Sequence, residues 1–121
     1  MFKETLKEIQ AKTEGCLGVV IMGTDGIPVD QIWTRDGTEA NLDVAVAEFT
    51  ALLRSAKRTS DDLGLQRLRE VSVLCDSANF VMRLINDDYF LVLALQPAGN
   101  YGRARFELRC AEAILEEEFA V

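Results

Sequence analysis

The fold is decided by the stretch Tyr89-Phe90-Leu91-Val92-Leu93-Ala94-Leu95, which is apolar on both faces of a strand. Such a strand must be covered on each face, so it belongs in the middle of a sheet that has helices above and below. The turn residues Asn86-Asp87-Asp88 precede it and predict a hairpin with the strand before. The sequence therefore predicts a sheet packed between two layers of helix.

Four further segments have the composition of strands, at Leu17–Met22, Ile27–Trp33, Leu68–Cys75 and Phe80–Ile85. Asp25-Gly26 joins the first two and is the strongest short-range signal for a hairpin. Pro28 cannot donate to a strand ladder, so the strand that contains it lies at an edge or begins there. The turn residues 76–79 predict a second hairpin between the last two segments.

Three segments have the apolar spacing of helices, at Phe2–Thr13, Asn41–Asp62 and Asn100–Glu118. A turn at residues 35–38 leads into the second of them. The order is helix, two strands, helix, three strands, helix. This order predicts an α+β fold, in which a five-stranded antiparallel sheet has one long helix on one face and two helices on the other. We expect residues 1–121 to form a single domain.

The long helix has two faces that both suit packing. Its apolar stripe is predicted to face the core and comprises Leu42, Ala45, Val46, Phe49, Leu52, Leu53 and Ala56. The opposite side carries mostly small side chains, namely Val44, Ala47, Ala51, Ser55 and Arg58. A strip of small side chains lets a second surface approach closely, although exposed alanine is also simply a good helix former.

The strand-like segment Leu68–Cys75 is also predicted to be only partly covered by the rest of the chain. Val71 and Val73 alternate with Glu70 and Ser72, so only one of its faces is apolar and the strand is predicted to be half buried. The strand and the small-residue strip are therefore the two elements that the pattern leaves with spare contact surface.

The composition excludes most catalytic chemistry. The 121 residues include no histidine, so a Ser-His-Asp triad, a Cys-His pair and imidazole-bound zinc are all ruled out. Neither G-x-x-x-x-G-K nor G-x-G-x-x-G occurs, which removes both common nucleotide-binding loops. Cys16, Cys75 and Cys110 are widely spaced and are expected to be small buried hydrophobes in a reducing compartment. The sequence predicts no enzyme, no cofactor and no metal site.

The net charge of the chain limits the classes of partner that it can bind. Thirteen Lys and Arg against 20 Asp and Glu give a net charge of −7, which disfavours nucleic acid. The chain shows no apolar run that suits a membrane and no signal peptide at Met1–Thr5, so a cytoplasmic protein is expected. Basic residues nevertheless cluster near the end of the long helix and at the start of the last one. Either docking of an acidic partner or local helix electrostatics explains these clusters, which comprise Arg54, Lys57, Arg58, Arg103, Arg105 and Arg109. Glu116-Glu117-Glu118 predicts a solvated, partly frayed helix end or a basic partner.

With this element order, the chain resembles the Roadblock / dynein light-chain domain family, specifically its bacterial members that regulate Ras-like small GTPases. The resemblance covers about Phe2 to Phe119. It rests on Gly18-Val19-Val20 leading to residues 24–29, the long helix from Leu42, the strand 89–95, and residues 102–109, which open the last helix.

The resemblance implies a homodimer in which the third strand and the long helix pair across a two-fold axis. In the GTPase-regulating members, the paired long helices also form the platform on which the GTPase docks. Val44, Ala47, Ala51, Ser55, Arg58, Val71 and Val73 are therefore expected to serve the dimer, the GTPase, or both.

Three functions are compatible with these observations. The first is a cytoplasmic homodimer that binds a Ras-like small GTPase and raises its GTP hydrolysis by ordering the partner's own loops. The second is a scaffold or adaptor with no effect on hydrolysis, as the eukaryotic light chains of the family are. The third is a small-molecule sensor, because PAS-like domains share this sheet, but no polar groups converge within the apolar strands.

Overall fold

A computed structural model describes residues 2–35, 37 and 41–120. Within this part, the elements of five or more residues are three helices and five strands. They are α1 (Phe2–Lys12), β1 (Cys16–Gly23), β2 (Pro28–Trp33), α2 (Leu42–Asp62), β3 (Glu70–Leu74), β4 (Asn79–Leu84), β5 (Tyr89–Leu95) and α3 (Tyr101–Phe119). Their order confirms the prediction from the sequence.

The strands form one antiparallel sheet in the order β2-β1-β5-β4-β3. The apolar strand β5 lies at its centre, between β1 and β4, as its two-sided pattern predicts. The strand that begins at Pro28 lies at one edge, which confirms the interpretation of that proline. At the β1–β2 turn, Gly26 has a φ of 90°, and Ile27 N donates to Asp25 Oδ1 at 3.0 Å.

Each face of the sheet has its own apolar cluster. Val19, Ile21, Leu91 and Leu93 point to the face that α1 and α3 cover. The alternate residues of the same strands pack against α2, where Val46 is 1% exposed and Leu53 is fully buried. The α+β architecture with one long helix on one face and two helices on the other is therefore confirmed.

Two local expectations differ from the structure, and a third is only partly covered by it. Leu52 is 45% exposed instead of buried, because the single residue step to Leu53 turns it about 100° away from the centre of the buried stripe. The third strand begins at Glu70 instead of Leu68, since Gln66 adopts a φ of 70° and the chain is still turning there. The predicted turn at 35–38 lies partly outside the described residues.

Candidate partner-binding surface

The outer edge of β3 is the first part of the candidate surface. Leu84 N donates to Arg69 O at 3.0 Å, and Cys75 N donates to Ala78 O at 3.0 Å, so residues 69 and 75 both face β4. Because this orientation alternates along an antiparallel strand, Val71 and Val73 also bond to β4. The backbone N–H and C=O groups of Glu70, Ser72 and Leu74 therefore point away from the sheet, along an edge that pairs with no other described strand.

The exposed face of α2 is the second part. The structure leaves all five residues of the predicted strip exposed, and they are Val44, Ala47, Ala51, Ser55 and Arg58. Val44 is 59% exposed, and Leu52 flanks the strip. The buried side of the same helix packs on the sheet through Val46 and Leu53. A helix with one face in the core and an exposed apolar and small-residue strip behind it can pack against a second surface.

The two parts belong to one region of the molecule. Val71 and Val73 are half-buried on the α2 side of β3, where they pack against the same apolar cluster as Leu42 and Phe49. Phe49 in turn meets Phe80 of β4 edge to face, with ring centroids 4.9 Å apart. The sheet thus holds β3 beneath α2 and leaves its outer edge open. Of the seven predicted site residues, the five on α2 are exposed. The other two, Val71 and Val73, pack between the edge strand β3 and α2.

A charged network fixes β3 on the other face of the sheet. Arg83 of β4 is 7% exposed, and its guanidinium bonds both Glu70, at 3.2 Å, and Glu112 of α3. Arg105 Nε also donates to Glu70 Oε2 at 2.6 Å, and this bond raises the pKa of Arg105. Tyr101 OH donates to Ser72 Oγ at 3.0 Å or accepts from it. These contacts tie the edge strand to the first turns of α3.

A broad cavity adjoins the start of β3 and is here called the arginine groove. It has a volume of about 890 Å³ and lies between the end of α2, residues 65–69 and α3. Its charged lining consists of Arg67, Arg69, Glu70, Arg83, Arg105 and Arg109. Glu112 contacts Arg83 and Arg67 from below, so two carboxylates face five guanidinium groups. An excess of three positive charges therefore gathers here on a chain whose net charge is −7.

The basic cluster of α2 is mostly occupied by contacts within the chain. Arg54 Nη1 donates to the carbonyl of Thr24 at 2.8 Å, and Lys57 Nζ donates to the carbonyl of Asp87 at 2.8 Å. Both contacts tie the helix to hairpin turns of the sheet. Arg58 is exposed, and its side chain makes no hydrogen bond or ion pair with any other residue of the described part. It is the one arginine of the predicted strip and remains available to a partner.

The last helix also departs from expectation. Arg103 pairs with Glu107 at 2.9 Å, which supports the structural interpretation of that arginine. Glu116-Glu117-Glu118 lies within the continuous helix α3, so the frayed end predicted there is wrong. The physical reason is Phe119, whose ring stacks on Phe2 with centroids 4.9 Å apart and on Tyr89 at 4.2 Å. These rings hold the last helical turn against the body of the protein.

The cysteines are correctly predicted at only one position. Cys16 is buried at the start of β1, and desolvation raises the pKa of its thiol to about 11. Cys75 and Cys110 are exposed, so the expectation that all three are buried is wrong. Cys75 directly follows β3, and Cys110 lies on α3 near α1. No disulfide joins the three cysteines.

Two further observations concern ligands and membranes. Across residues 2–35, 37 and 41–120, no three Cys, Asp or Glu side chains gather where they could hold a metal ion. In the same ranges, no helix combines the length and apolar character needed to cross a membrane.

Comparison with known families decides the identity. A family model described as the Roadblock/LC7 domain matches residues 1–95. The chain belongs to the Roadblock/LC7 domain family. This confirms the resemblance drawn from the order of its motifs. No curated protein sequence matches the chain.

Solved structures agree with the Roadblock/LC7 assignment. MglC from Myxococcus xanthus is 36% identical, with a TM-score of 0.70 over 97% of this chain and 98% of that chain. A Roadblock/LC7 domain from Streptomyces avermitilis has a TM-score of 0.83 at 12% identity and covers 98% of this chain and 97% of its own. The gliding protein MglB from Thermus thermophilus has a TM-score of 0.82 at 16% identity, over 95% of this chain and 85% of that chain. The last two show a shared fold.

The arginine groove of this Roadblock/LC7 chain was not predicted as a unit. Arg105 and Arg109 formed one cluster in the sequence, but Arg67, Arg69 and Arg83 come from other segments. The available signal was spacing, because residues four apart on a helix share a face, as Arg105 and Arg109 do. Which strand lies beside that face follows only from the sheet order.

Proposed function

We propose that this Roadblock/LC7 chain is a cytoplasmic homodimer that regulates a Ras-like small GTPase. The observation that carries the proposal is the open edge of β3 lying beside the exposed small-residue face of α2. The resemblance to bacterial GTPase regulators of the family supplies the partner class. We further propose that residues 1–121 act as a single Roadblock-like domain, since α3 lies beyond the matched residues 1–95 yet packs into the same core as α1.

The homodimer would satisfy both uncovered elements at once. Two β3 edges would pair antiparallel across a two-fold axis through the outward groups of Glu70, Ser72 and Leu74. Leu74 is 61% exposed and Val44 is 59% exposed in the single chain, so a second copy would remove apolar surface from water. Ala47 and Ala51 on the strip would let a second long helix approach closely. Pairing of the edges also removes a site that otherwise invites aggregation.

The catalysis would belong to the partner. The chain has no histidine with which to activate water, and it lacks both common phosphate-binding loops. A regulator of this kind raises GTP hydrolysis by holding the partner's catalytic loops in their active arrangement. The paired α2 helices would form the platform that holds them.

Arg58 is the residue that tests whether this chain donates an arginine to the catalytic site of the GTPase. Among Arg54, Arg58, Arg103 and Arg105, three are engaged within the chain: Arg54 donates to the carbonyl of Thr24, and Arg103 and Arg105 bond glutamates. Arg58 alone among them has no such contact with a described residue, and it lines a shallow cavity of about 330 Å³ with Arg54 and Lys57. Replacing Arg54, Arg58, Arg103 and Arg105 singly by Ala leaves the stimulation intact if the mechanism is loop ordering. Loss at Arg58 alone, on the order of 10³-fold, would instead identify a donated arginine.

The test is GTP turnover by a Ras-like GTPase of the same organism, measured with and without the purified chain. We expect faster turnover and binding that prefers the GTP form. No acceleration together with no binding of either nucleotide state would refute the proposal. The variant Lys7→Glu, on the exposed side of α1 and remote from β3, serves as a charge-matched control for surface variants.

The second candidate is an adaptor subunit that binds the GTPase or another protein without affecting hydrolysis. The engagement of Arg54, Arg103 and Arg105 within the chain fits an adaptor as well as it fits a regulator that acts by loop ordering, because neither needs these side chains to reach a partner. The two candidates differ in one result, which is binding of the GTPase without any change in turnover. A small-GTPase gene beside the gene of this chain favours the regulator.

A further inference from the structure

We propose that the arginine groove receives Asp76 of a second copy of the chain, and that Arg109 is its partner. The inference rests on the proposed homodimer and adds to it a specific charged contact. By two-fold symmetry the contact occurs twice, once in the groove of each copy. It thereby assigns an occupant to the arginine groove.

The register of the strand pairing follows from the outward groups of β3. These groups belong to Glu70, Ser72 and Leu74, and Ser72 is the middle residue of the five-residue strand. An antiparallel pair of identical strands overlaps most completely when its two-fold axis passes beside that middle residue. Ser72 then faces Ser72 of the second copy, and Glu70 faces its Leu74. Continuing outward in the same register places Asp76 of the second copy level with Leu68.

The position of Arg109 follows from the contacts of α3. Tyr101 bonds Ser72 and Arg105 bonds Glu70, so one helical turn of α3 advances in step with two residues of β3. This match is expected, since four helical residues rise about 6 Å and two strand residues about 6.7 Å. Arg109 is one turn further and lies level with Leu68, which lines the groove beside it. Arg109 and Asp76 of the second copy thus reach the same level.

Both side chains also lie on the same face of the joined sheet. Glu70, Ser72 and Leu74 alternate with the valines that face α2, so they point to the α3 side. Asp76 lies two residues beyond Leu74 and is exposed in the β3–β4 turn, and strand pairing that extends past Leu74 in the dimer would place it in this even-numbered series. Arg109 is on α3 and is likewise exposed.

Charge supports the same pairing. Arg109 and Arg69 form no ion pair with any residue in the described ranges, whereas Arg67, Arg83 and Arg105 share Glu70 and Glu112. Asp76 makes no hydrogen bond or ion pair within those ranges either. An unpaired guanidinium in a groove with excess positive charge and an unpaired carboxylate on a symmetry-related turn are complementary.

Charge reversal tests the contact. Arg109→Glu and Asp76→Arg are each expected to raise the dimer Kd about tenfold or more, because each creates two like-charge contacts across the dimer. The double variant restores the pair with exchanged signs, so we expect its Kd to return to within about threefold of wild type. Sedimentation equilibrium at low ionic strength measures all four proteins, and thermal unfolding checks that each is folded.

Matched controls separate the specific contact from net charge. Lys7→Glu and Asp88→Arg make the same charge changes at exposed positions away from the β3 edge, and both are expected to keep the wild-type Kd. A dimeric wild type whose singles behave like these controls would overturn the Asp76 contact while leaving the homodimer standing. Single variants that weaken the dimer without rescue in the double would also overturn it. A monomeric wild type would instead refute the proposed homodimer itself.

Discussion

At the scale of single residues, Arg83 is the side chain on which the β3 edge depends. Its side chain is 8% exposed and bridges Glu70 and Glu112, whose side chains are 12% and 16% exposed. Arg83→Ala removes the guanidinium that neutralises these two nearly buried carboxylates. We expect it to lower the free energy of unfolding by about 3 kcal/mol, as measured by urea denaturation.

A surface pair provides the comparison for Arg83. Lys12 and Glu8 form an ion pair on α1 with side chains that are 49% and 59% exposed. Because water screens such a pair, Lys12→Ala should leave the urea midpoint close to that of wild type. Equal effects of the two substitutions would show that the Arg83 network contributes nothing beyond a surface contact.

Also at the residue scale, the buried thiol of Cys16 should be inert. Burial raises its pKa from 9.0 to about 11, and only the thiolate attacks an aromatic disulfide reagent. In the native protein at mildly alkaline pH, peptide mapping should find Cys110 modified rapidly and Cys16 modified only after unfolding. Modification of Cys16 at the rate of Cys110 would contradict its placement in the core.

The same shift has a consequence for stability at high pH. The folded state favours the neutral Cys16 thiol, so its contribution is fully present below pH 9 and is lost as the pH rises toward about 11. Stability should therefore fall over this interval by more in the wild type than in Cys16→Ala. Parallel pH profiles for the two proteins would argue against a buried, protonated thiol.

At the scale of elements, the exposed face of α2 yields the clearest prediction. Ala51→Glu places a carboxylate in the middle of the strip and should raise the dimer Kd about tenfold or more, because the charge would be buried without a partner. Ala113→Glu makes the same change at an exposed position of α3 and should leave the Kd unaltered. Val73→Glu is a weaker test, since Val73 also packs in the core and its loss affects folding.

A dimer that tolerates Ala51→Glu would remove α2 from the interface. The strip would then remain free for another partner, and only the β3 edge would join the two copies. Sedimentation velocity at micromolar concentration distinguishes these outcomes.

Elements with a complete apolar pattern could be predicted from the sequence. The central strand β5 begins and ends as predicted, because an uninterrupted apolar run has one stable location in a sheet. The β1–β2 hairpin likewise follows from Asp25-Gly26. By contrast, Leu52 lies on the margin of its stripe, where a small rotation of the helix decides between burial and exposure.

The site was predictable only in part, for a physical reason. The α2 strip comes from one element, so helical periodicity alone places its five residues on one face. The arginine groove combines side chains from a loop, two strands and two helices, and their proximity depends on how those elements pack. Periodicity within one element carries no information about such long-range neighbours.

At the scale of the whole molecule, charge and uncovered surface are both unevenly distributed. The chain is acidic overall, yet the groove beside β3 carries an excess of positive charge. The outer edge of β3 and the outer face of α2 are two of its uncovered features, and the opposite edge strand β2 begins with Pro28. A proline at that edge discourages strand addition, so β3 is the better edge for pairing.

Sedimentation velocity of the chain mixed with a small Ras-like GTPase tests the central claim most directly. The GTPase is loaded with either GDP or a non-hydrolysable GTP analogue, and the chain is also run alone at micromolar concentration. We predict that the chain alone sediments as a dimer and that the GTP-analogue form joins it in a larger complex. A chain that sediments as a monomer and forms no complex with either nucleotide state would contradict the account.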